Sequence, residues 1–202
     1  MSLQIYGIIP YFVEDMKRLF TLFFLAALLP IAAAAQTRTY GDIESKAFVI
    51  GLEQYYFGSA GSLGFKVAKQ TYEARIEGGS VTLVCPDSSE MLLFKGEGDI
   101  MIGIHDFTGN RNPELVVARR GDGILEAEVF QLGGRALSIG RIGAAGEDVS
   151  EIRVFRQAFT IKNHKSGAMY SWTWHKTKFD FKASDGSSDP TPEKAVPAEN
   201  AE

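Results

Sequence analysis

Side-chain oxygens recur at every second position of one glycine-containing segment, residues 106–114. The oxygen-bearing residues are Asp106, Thr108, Asn110, Asn112 and Glu114. A hard cation such as Ca²⁺ takes about six to eight oxygen ligands, and a glycine lets its binding loop bend sharply. The spacing therefore predicts a Ca²⁺ site in a tight loop. The alternative is a metal-free Asx-type turn that holds the two flanking strands together.

The same segment resembles a known repeat. Residues 106–117, DFTGNRNPELVV, are similar to the calcium loop of FG-GAP and related β-propeller repeats, with the pattern D-x-[DN]-G-[DN]-x-x-x-[DE]-L-x-[VI]. The matching positions are Asp106, Gly109, Asn110, Glu114 and Leu115. Thr108 stands where the family has Asp or Asn. The resemblance implies a strand–loop–strand unit with a Ca²⁺ ligand set, and it covers a single repeat.

An aromatic row forms a second candidate binding segment. Tyr170, Trp172 and Trp174 alternate along one predicted strand and therefore share one of its faces. If that face is exposed, the row is a stacking platform for a carbohydrate or an anchor for a protein partner. If it is buried, the row belongs to the hydrophobic core.

The turn before this row carries a resemblance of its own. Residues 166–170, SGAMY, resemble the S-G-x-x-Y loop of periplasmic inhibitors of c-type lysozyme. Those inhibitors are small β-barrels that insert the loop, with its serine, into the lysozyme cleft. By this resemblance Ser166 contacts a cell-wall hydrolase. The cysteine pair usual in that family has no counterpart, because Cys85 is the chain's one cysteine.

Enzyme signatures are absent: the chain has no H-E-x-x-H, no G-x-S-x-G and no cysteine-rich metal spacing. His164 and His175 are expected to lie near each other across a hairpin, where they would suit a hydrolase. The alternative is two unrelated surface histidines. Glu126 and Glu128 share a strand face and are expected to face solvent. We therefore expect a non-catalytic protein that requires no cofactor and binds a protein or carbohydrate ligand.

Composition and net charge limit the classes of molecule that the protein is expected to bind. The chain is 45% apolar and 23% charged, which is typical of a globular protein. The net charge of −4 argues against a nucleic-acid-binding protein, which would carry a basic stripe. A single cysteine excludes an internal disulfide, and Cys85 is expected to be a buried apolar side chain.

The N-terminus has the features of an export signal. Residues 16–18, Met-Lys-Arg, precede the apolar run 19–31, and residues 33–35 are the Ala-Ala-Ala of a cleavage site. The run is shorter than the roughly 20 residues that span a bilayer. We predict translation from Met16, a leader ending at residue 35 and a mature chain beginning at Gln36. The mature protein is then periplasmic or secreted and has no integral membrane segment.

Alternating apolar residues and glycine-rich links predict a mainly β fold for a single domain, residues 36–183. We expect an antiparallel meander of about eight to ten strands, either a barrel or a fragment of a propeller. Hairpin turns are predicted at Gly78-Gly79 and Gly133-Gly134. Residues 152–161 and 168–182 are each predicted to form one strand.

The two ends of this domain have their own predictions. Asp42 is placed to cap a short helix along Ile43, Ala47 and Ile50, and a strand at 47–52 is the alternative. The tail, residues 184–202, lacks aromatic residues and is rich in proline, serine and acidic groups, so it is predicted to be disordered.

Overall fold

A computed structural model describes residues 47–193, and this part of the chain forms fourteen β-strands and no α-helix. In chain order the strands are β1 (Val49–Ile50), β2 (Gln54–Phe57), β3 (Ala60–Val67), β4 (Gln70–Glu77), β5 (Ser80–Val84), β6 (Glu90–Lys95), β7 (Asp99–His105), β8 (Glu114–Gly121), β9 (Ile124–Leu132), β10 (Ala136–Ala145), β11 (Ile152–Phe155), β12 (Ala158–Lys162), β13 (Met169–His175) and β14 (Lys178–Ala183).

The strands form three open sheets. The central sheet has the order β10-β9-β8-β7-β2, the N-terminal sheet β3-β4-β5-β6 and the C-terminal sheet β1-β11-β12-β13-β14. Neighbouring strands run antiparallel except β1 and β11, which are parallel.

The central sheet is buried on both faces. Ile100, Ile102 and Ile104 of β7 pack with the N-terminal sheet. Met101 of the same strand and Val116 of β8 pack with the C-terminal sheet. Because side chains alternate between the two faces of a strand, burial of both faces requires a continuous apolar run. The uninterrupted apolar runs of β7 and β8 therefore mark the middle layer of three.

The prediction of a mainly β, antiparallel fold is confirmed. The sheets remain open, so they do not close into the barrel that was one of the two expected forms. Each sheet instead buries an apolar face against its neighbour.

Extended chain occupies the position of the predicted N-terminal helix. Val49 pairs with Ile152 in the C-terminal sheet, and Phe48 is fully buried beside it. Strand pairing and burial here outweigh the weak helical pattern. The alternative prediction of a strand at 47–52 is closer to the structure, and Asp42 and Ile43 lie outside the described residues.

Two predicted strands are each divided by a turn that contains no glycine. Residues 152–161 form β11 and β12, which meet at Arg156-Gln157. Residues 168–182 form β13 and β14, which meet at Lys176-Thr177. Lys176 adopts a φ of 62°, a conformation that side chains other than glycine seldom take. Both sequence predictions of a single strand are therefore wrong.

Turns are present at both predicted glycine hairpins. Gly78 and Gly79 have φ values of 55° and 76°, as a type I′ turn requires, and they join β4 to β5. The turn after β9 is one residue longer than expected, since Leu132 pairs with Ala136.

Several sequence predictions concern the chain ends. The leader, its cleavage site and the end of the acidic tail lie outside the described residues. Within residues 47–193 no helix has the length and apolar character needed to cross a membrane. Residues 184–193 contain no regular secondary structure, and Asp189 accepts a hydrogen bond from the indole N–H of Trp172.

Candidate functional site

The loop of residues 106–113 connects β7 to β8 at one end of the central sheet. His105 and Glu114 are the last paired residues of these strands. The loop thus begins and ends in strands that each have five consecutive buried residues. A rigid sheet holds both of its ends in place.

Glu114 closes the base of the loop. Its side chain is buried, with the residue only 1% exposed. One carboxylate oxygen accepts the backbone N–H groups of Phe107 (2.8 Å) and Thr108 (3.3 Å), and the other accepts the Thr108 hydroxyl (2.9 Å). Burial raises the pKa of Glu114 above the ordinary glutamate value, and the hydrogen bonds from Thr108 and Phe107 only partly oppose it.

Asp106 organises the tip of the loop. Its carboxylate accepts the backbone N–H groups of Gly109 (2.7 Å), Asn110 (3.1 Å) and Arg111 (2.8 Å). Such a chain of bonds requires the backbone to curl tightly around the side chain, and Gly109 accordingly has a φ of 72°. The Asn110 side-chain oxygen then accepts the N–H of Asn112 (2.7 Å).

The carboxylates therefore hold loop N–H groups, as in the Asx-type turn that was the alternative to a metal site. A metal would have to compete with these bonds for the oxygens of Asp106 and Glu114. Within the described residues, no three His, Cys, Asp or Glu side chains are grouped as a metal site would need. The Ca²⁺ ligand set Asp106, Thr108, Asn110, Asn112 and Glu114 stays a prediction.

A cleft of about 80 Å³ lies beside the loop tip. Asn110 and Asn112 line it from the loop, Gln131 from the end of β9, and Ala68 from the turn between β3 and β4. Val67, Pro113, Glu114 and Leu132 complete the lining. Ala68 and its neighbour Lys69 both have positive φ, 48° and 71°. The cleft therefore lies between elements of two sheets, and three amide-bearing residues line it.

A small polar group of residues supports the loop from behind. Glu53 accepts the backbone N–H of Asp106 at 3.2 Å, and its carboxylate lies 3.6 Å from Nδ1 of His105. Nε2 of His105 lies 3.2 Å from the carbonyl oxygen of Arg156. The Phe107 ring stacks on Phe159 at 4.4 Å between centroids. These contacts tie the loop to the C-terminal sheet.

Sequence reasoning did not identify Gln131, Ala68, Glu53 or His105 as part of this region. Gln131 and Ala68 carry no local signal, because only the packing of the sheets brings them to the loop. His105 could have been suspected from its place directly before Asp106.

The aromatic row lies on the inner face of the C-terminal sheet. Trp172 is 1% exposed and packs in the core with Phe159 and Phe181. Tyr170 and Trp174 are partly buried on the same face. An indole that is covered on both sides has no face to offer a ligand, so Trp172 belongs to the hydrophobic core, and a binding role for the partly buried Tyr170 and Trp174 stays a prediction.

Ser166 is exposed in the turn between β12 and β13. Its hydroxyl oxygen accepts the backbone N–H of Ala168 at 3.2 Å. The side chain of Asn163 accepts the N–H groups of Lys165 and Ser166, which closes the turn. The serine of the lysozyme-inhibitor-like segment is therefore accessible, but Tyr170 of the same segment lies on the inner face of the sheet.

The two histidines do not form a pair. His164 lies in the turn between Lys162 and Met169, and its Nε2 lies 3.0 Å from the Ser150 hydroxyl. His175 ends β13 at the other end of that strand and lies 3.4 Å from Asp180. His175 lies six residue steps of extended chain beyond Met169, a distance of about 20 Å. The prediction that they lie close together is wrong, and a hydrolase site built from both is not formed.

Glu126 differs from its sequence prediction. It is 6% exposed and forms ion pairs with Arg119 (3.0 Å) and Arg141 on the neighbouring strands. The prediction that Glu126 shares a strand face with Glu128 agrees with the alternation of side chains along β9. The prediction that Glu126 faces solvent is wrong, because two arginines on the neighbouring strands cover its carboxylate.

The chain matches no protein-family model, no curated protein and no solved structure.

Proposed function

We propose that the protein is an exported, non-catalytic binding protein whose ligand occupies the cleft beside the loop of residues 106–113. The observation that carries this proposal is that three amide-bearing residues, Asn110, Asn112 and Gln131, line one cleft. The Asn112 and Gln131 amides each have donors and an acceptor, and Asn110, whose side-chain oxygen accepts the N–H of Asn112, has its NH₂ donors. The export assignment rests on the basic residues, apolar run and alanine cleavage site at positions 16–35.

The support for a non-catalytic role is geometric. The carboxylates of Asp106 and Glu114 accept loop N–H groups, so neither is positioned as a free acid or base. His164 lies in the turn before β13, and His175 is the last residue of that strand. A hydrolase of the kind considered from the sequence would need its acid and base within reach of the same bond.

The lining of the cleft favours a peptide segment of a protein partner. Its volume of about 80 Å³ is far below the roughly 300 Å³ of small-molecule pockets, so it holds one group of a larger ligand. Its lining has no aromatic ring of the sort on which sugars stack. Val67, Pro113 and Leu132 add apolar surface next to the amides. Amides beside apolar side chains suit a peptide backbone and one of its side chains.

A peptide-display selection tests this function. Random peptides displayed on phage are selected on the wild-type protein and then measured against the double variant Asn110→Ala/Gln131→Ala. Loss of two well-placed hydrogen bonds is expected to weaken binding at least about tenfold. The matched control is Gln54→Ala, which removes an exposed amide on β2 outside the cleft. Peptides that bind the double variant as well as the wild type would contradict the proposal.

The loop also allows a direct test of metal binding. Because loop N–H groups already occupy the carboxylates, we expect the melting temperature to be the same in about 5 mM CaCl₂ as in about 5 mM MgCl₂. A Ca²⁺-specific rise that Asp106→Asn abolishes would contradict this expectation. That result would assign the segment a calcium-binding role instead.

A further inference from the structure

The C-terminal sheet carries a concentration of positive charge. Residues 151–183 contain seven basic and two acidic residues, in a chain whose net charge is −4. Four of the basic side chains lie on strands β11 to β14, and they alternate with the buried inner-face residues of the same strands. The four are Arg153, Lys162, Lys178 and Lys182. The outer face of this sheet is therefore basic although the protein is acidic.

The centre of this face consists of small side chains. One cross-strand row runs Arg153, Thr160, Ser171 and Lys182, with the basic residues at its two ends. The next row places Ala158 beside Thr173. Short side chains flanked by long basic ones form a surface that can lie against another extended surface.

Apolar side chains are exposed among these charges. Phe155 is 54% and Met169 is 41% exposed, and both lie on the outer face. Met169 is the direct cross-strand neighbour of Lys162. Ile50 is the neighbour of Arg153 and is exposed as well. Exposed apolar side chains on a basic surface are typical of surfaces that contact the headgroup region of a membrane.

Part of the positive charge forms no close ion pair within the described residues. Arg153 pairs with Glu151 at 2.6 Å, and Lys178 pairs with Asp180 at 2.9 Å. Among residues 47–193 no carboxylate forms an ion pair with Lys162 or Lys182. Lys162 ends the middle strand β12 and Lys182 lies on the edge strand β14, and both are exposed to an external anion.

We propose that the outer face of the C-terminal sheet docks on a bilayer that contains anionic phospholipids. Each basic side chain near such a surface is attracted by its negative potential, and Phe155 and Met169 enter the interfacial region between the headgroups. A nucleic acid fits less well, because this face has a single exposed aromatic ring and strand-binding surfaces stack successive bases on several. The proposal is independent of the cleft beside residues 106–113.

Vesicle flotation of the full chain tests the proposal. The probes are vesicles of phosphatidylcholine alone and vesicles with about 30% phosphatidylglycerol, at about 0.1 M salt. The wild type is expected to float with the anionic vesicles above its background on neutral ones, and to lose this excess at about 0.5 M salt. Removing one basic side chain near the surface lowers partitioning about fivefold, so Lys162→Gln/Lys182→Gln is expected to lower it about 25-fold.

The matched control is Lys66→Gln/Lys95→Gln, which removes two exposed lysines from the N-terminal sheet and is expected to bind like the wild type. Phe155→Ser is expected to weaken binding to the anionic vesicles while leaving the melting temperature within a few degrees of the wild type. Equal flotation with both kinds of vesicle, or equal losses in the two lysine pairs, would overturn the proposal. Binding to heparin or single-stranded DNA without binding to the vesicles would also overturn it and would assign the face to a soluble polyanion.

Discussion

The carboxylate of Glu114 lies where the loop meets β8, and water does not reach it. Its three hydrogen bonds bind two backbone N–H groups and a hydroxyl at the base of the loop. Burial nevertheless raises its pKa, because removal from water disfavours the charged form. The residue is therefore structurally necessary and sensitive to pH.

The raised pKa of Glu114 predicts a pH dependence of stability. The native state keeps the Glu114 proton to higher pH than the unfolded chain does. The contribution of this proton to the free energy of unfolding is therefore complete below the ordinary glutamate pKa near 4.5 and is lost as the pH rises through the native pKa. Glu114→Gln keeps the shape and cannot ionise. Relative to this variant, the wild type is expected to lose stability from about pH 4 to pH 7 in urea unfolding.

Glu73 provides the control of opposite sign. The hydrogen bond from Arg75 lowers the pKa of Glu73, so its contribution is present above the ordinary value and is lost as the pH falls through the native pKa. Relative to Glu73→Gln, the wild type should gain stability as the pH rises. The same slope in both comparisons would contradict the assignment of Glu114.

Glu126 predicts a large effect of a single substitution. It is the carboxylate between Arg119 and Arg141, and the three side chains are mostly shielded from water. Nη1 of Arg141 is already buried without a hydrogen-bond partner. Removing Glu126 would also leave the positive charge of this guanidinium without its ion-pair partner. Glu126→Ala is expected to lower the free energy of unfolding by about 3–5 kcal/mol.

The exposed pair Arg153–Glu151 is the comparison for Glu126. A surface ion pair contributes little because water and salt screen it, so Glu151→Ala is expected to change stability by less than about 1 kcal/mol. Urea unfolding of both variants measures the contrast. Similar small losses in the two would contradict a structural role for the buried cluster.

The residue types in the turns decide which strand boundaries can be predicted from the sequence. Gly78-Gly79 was recognisable because glycine readily adopts positive φ. The turns at Arg156-Gln157 and Lys176-Thr177 contain ordinary residues, and nothing local separates them from the strands around them. Strand pairing on both sides imposes those turns.

The turn between β3 and β4 predicts a stabilising substitution. Ala68 and Lys69 both have positive φ, and Asn-Gly is the pair favoured in such turns. Ala68→Asn/Lys69→Gly is expected to raise the free energy of unfolding by about 1 kcal/mol, because it relieves the left-handed strain. Gly78→Ala is the converse control, because it places a side chain at a residue with positive φ. No atom lies within 4 Å of the added Cβ, so the expected decrease of about 1 kcal/mol in the free energy of unfolding comes from the backbone conformation alone. A destabilised double variant would contradict the argument.

The whole described domain depends on its middle layer. The central sheet packs against apolar side chains on both faces, while the other two sheets each have one face in water. The outer face of the C-terminal sheet also concentrates basic residues within an acidic protein. The burial of the central sheet and the basic outer face of the C-terminal sheet both depend on several strands together.

This layering predicts the order of amide hydrogen exchange. Amides in β7 and β8 are expected to exchange slowest, because they open only when the whole domain unfolds. Amides of the edge strands β6 and β14 should exchange orders of magnitude faster. Exchange followed by mass spectrometry or NMR measures this order. Slowest exchange in the N-terminal sheet would contradict the central role of β7 and β8.

The sequence by itself determined the β class, the glycine hairpins and the strand–loop–strand unit at residues 100–118. Alternation, turn chemistry and the oxygens of Asp106 and Glu114 are local properties, so they can be recognised along the chain. Only the tertiary structure decided that Trp172 is core, that His164 and His175 are apart, that Glu126 is buried and that Gln131 joins the loop in a cleft. The physical reason is that burial and proximity depend on how three sheets stack, and contacts between sheets join residues far apart in the sequence.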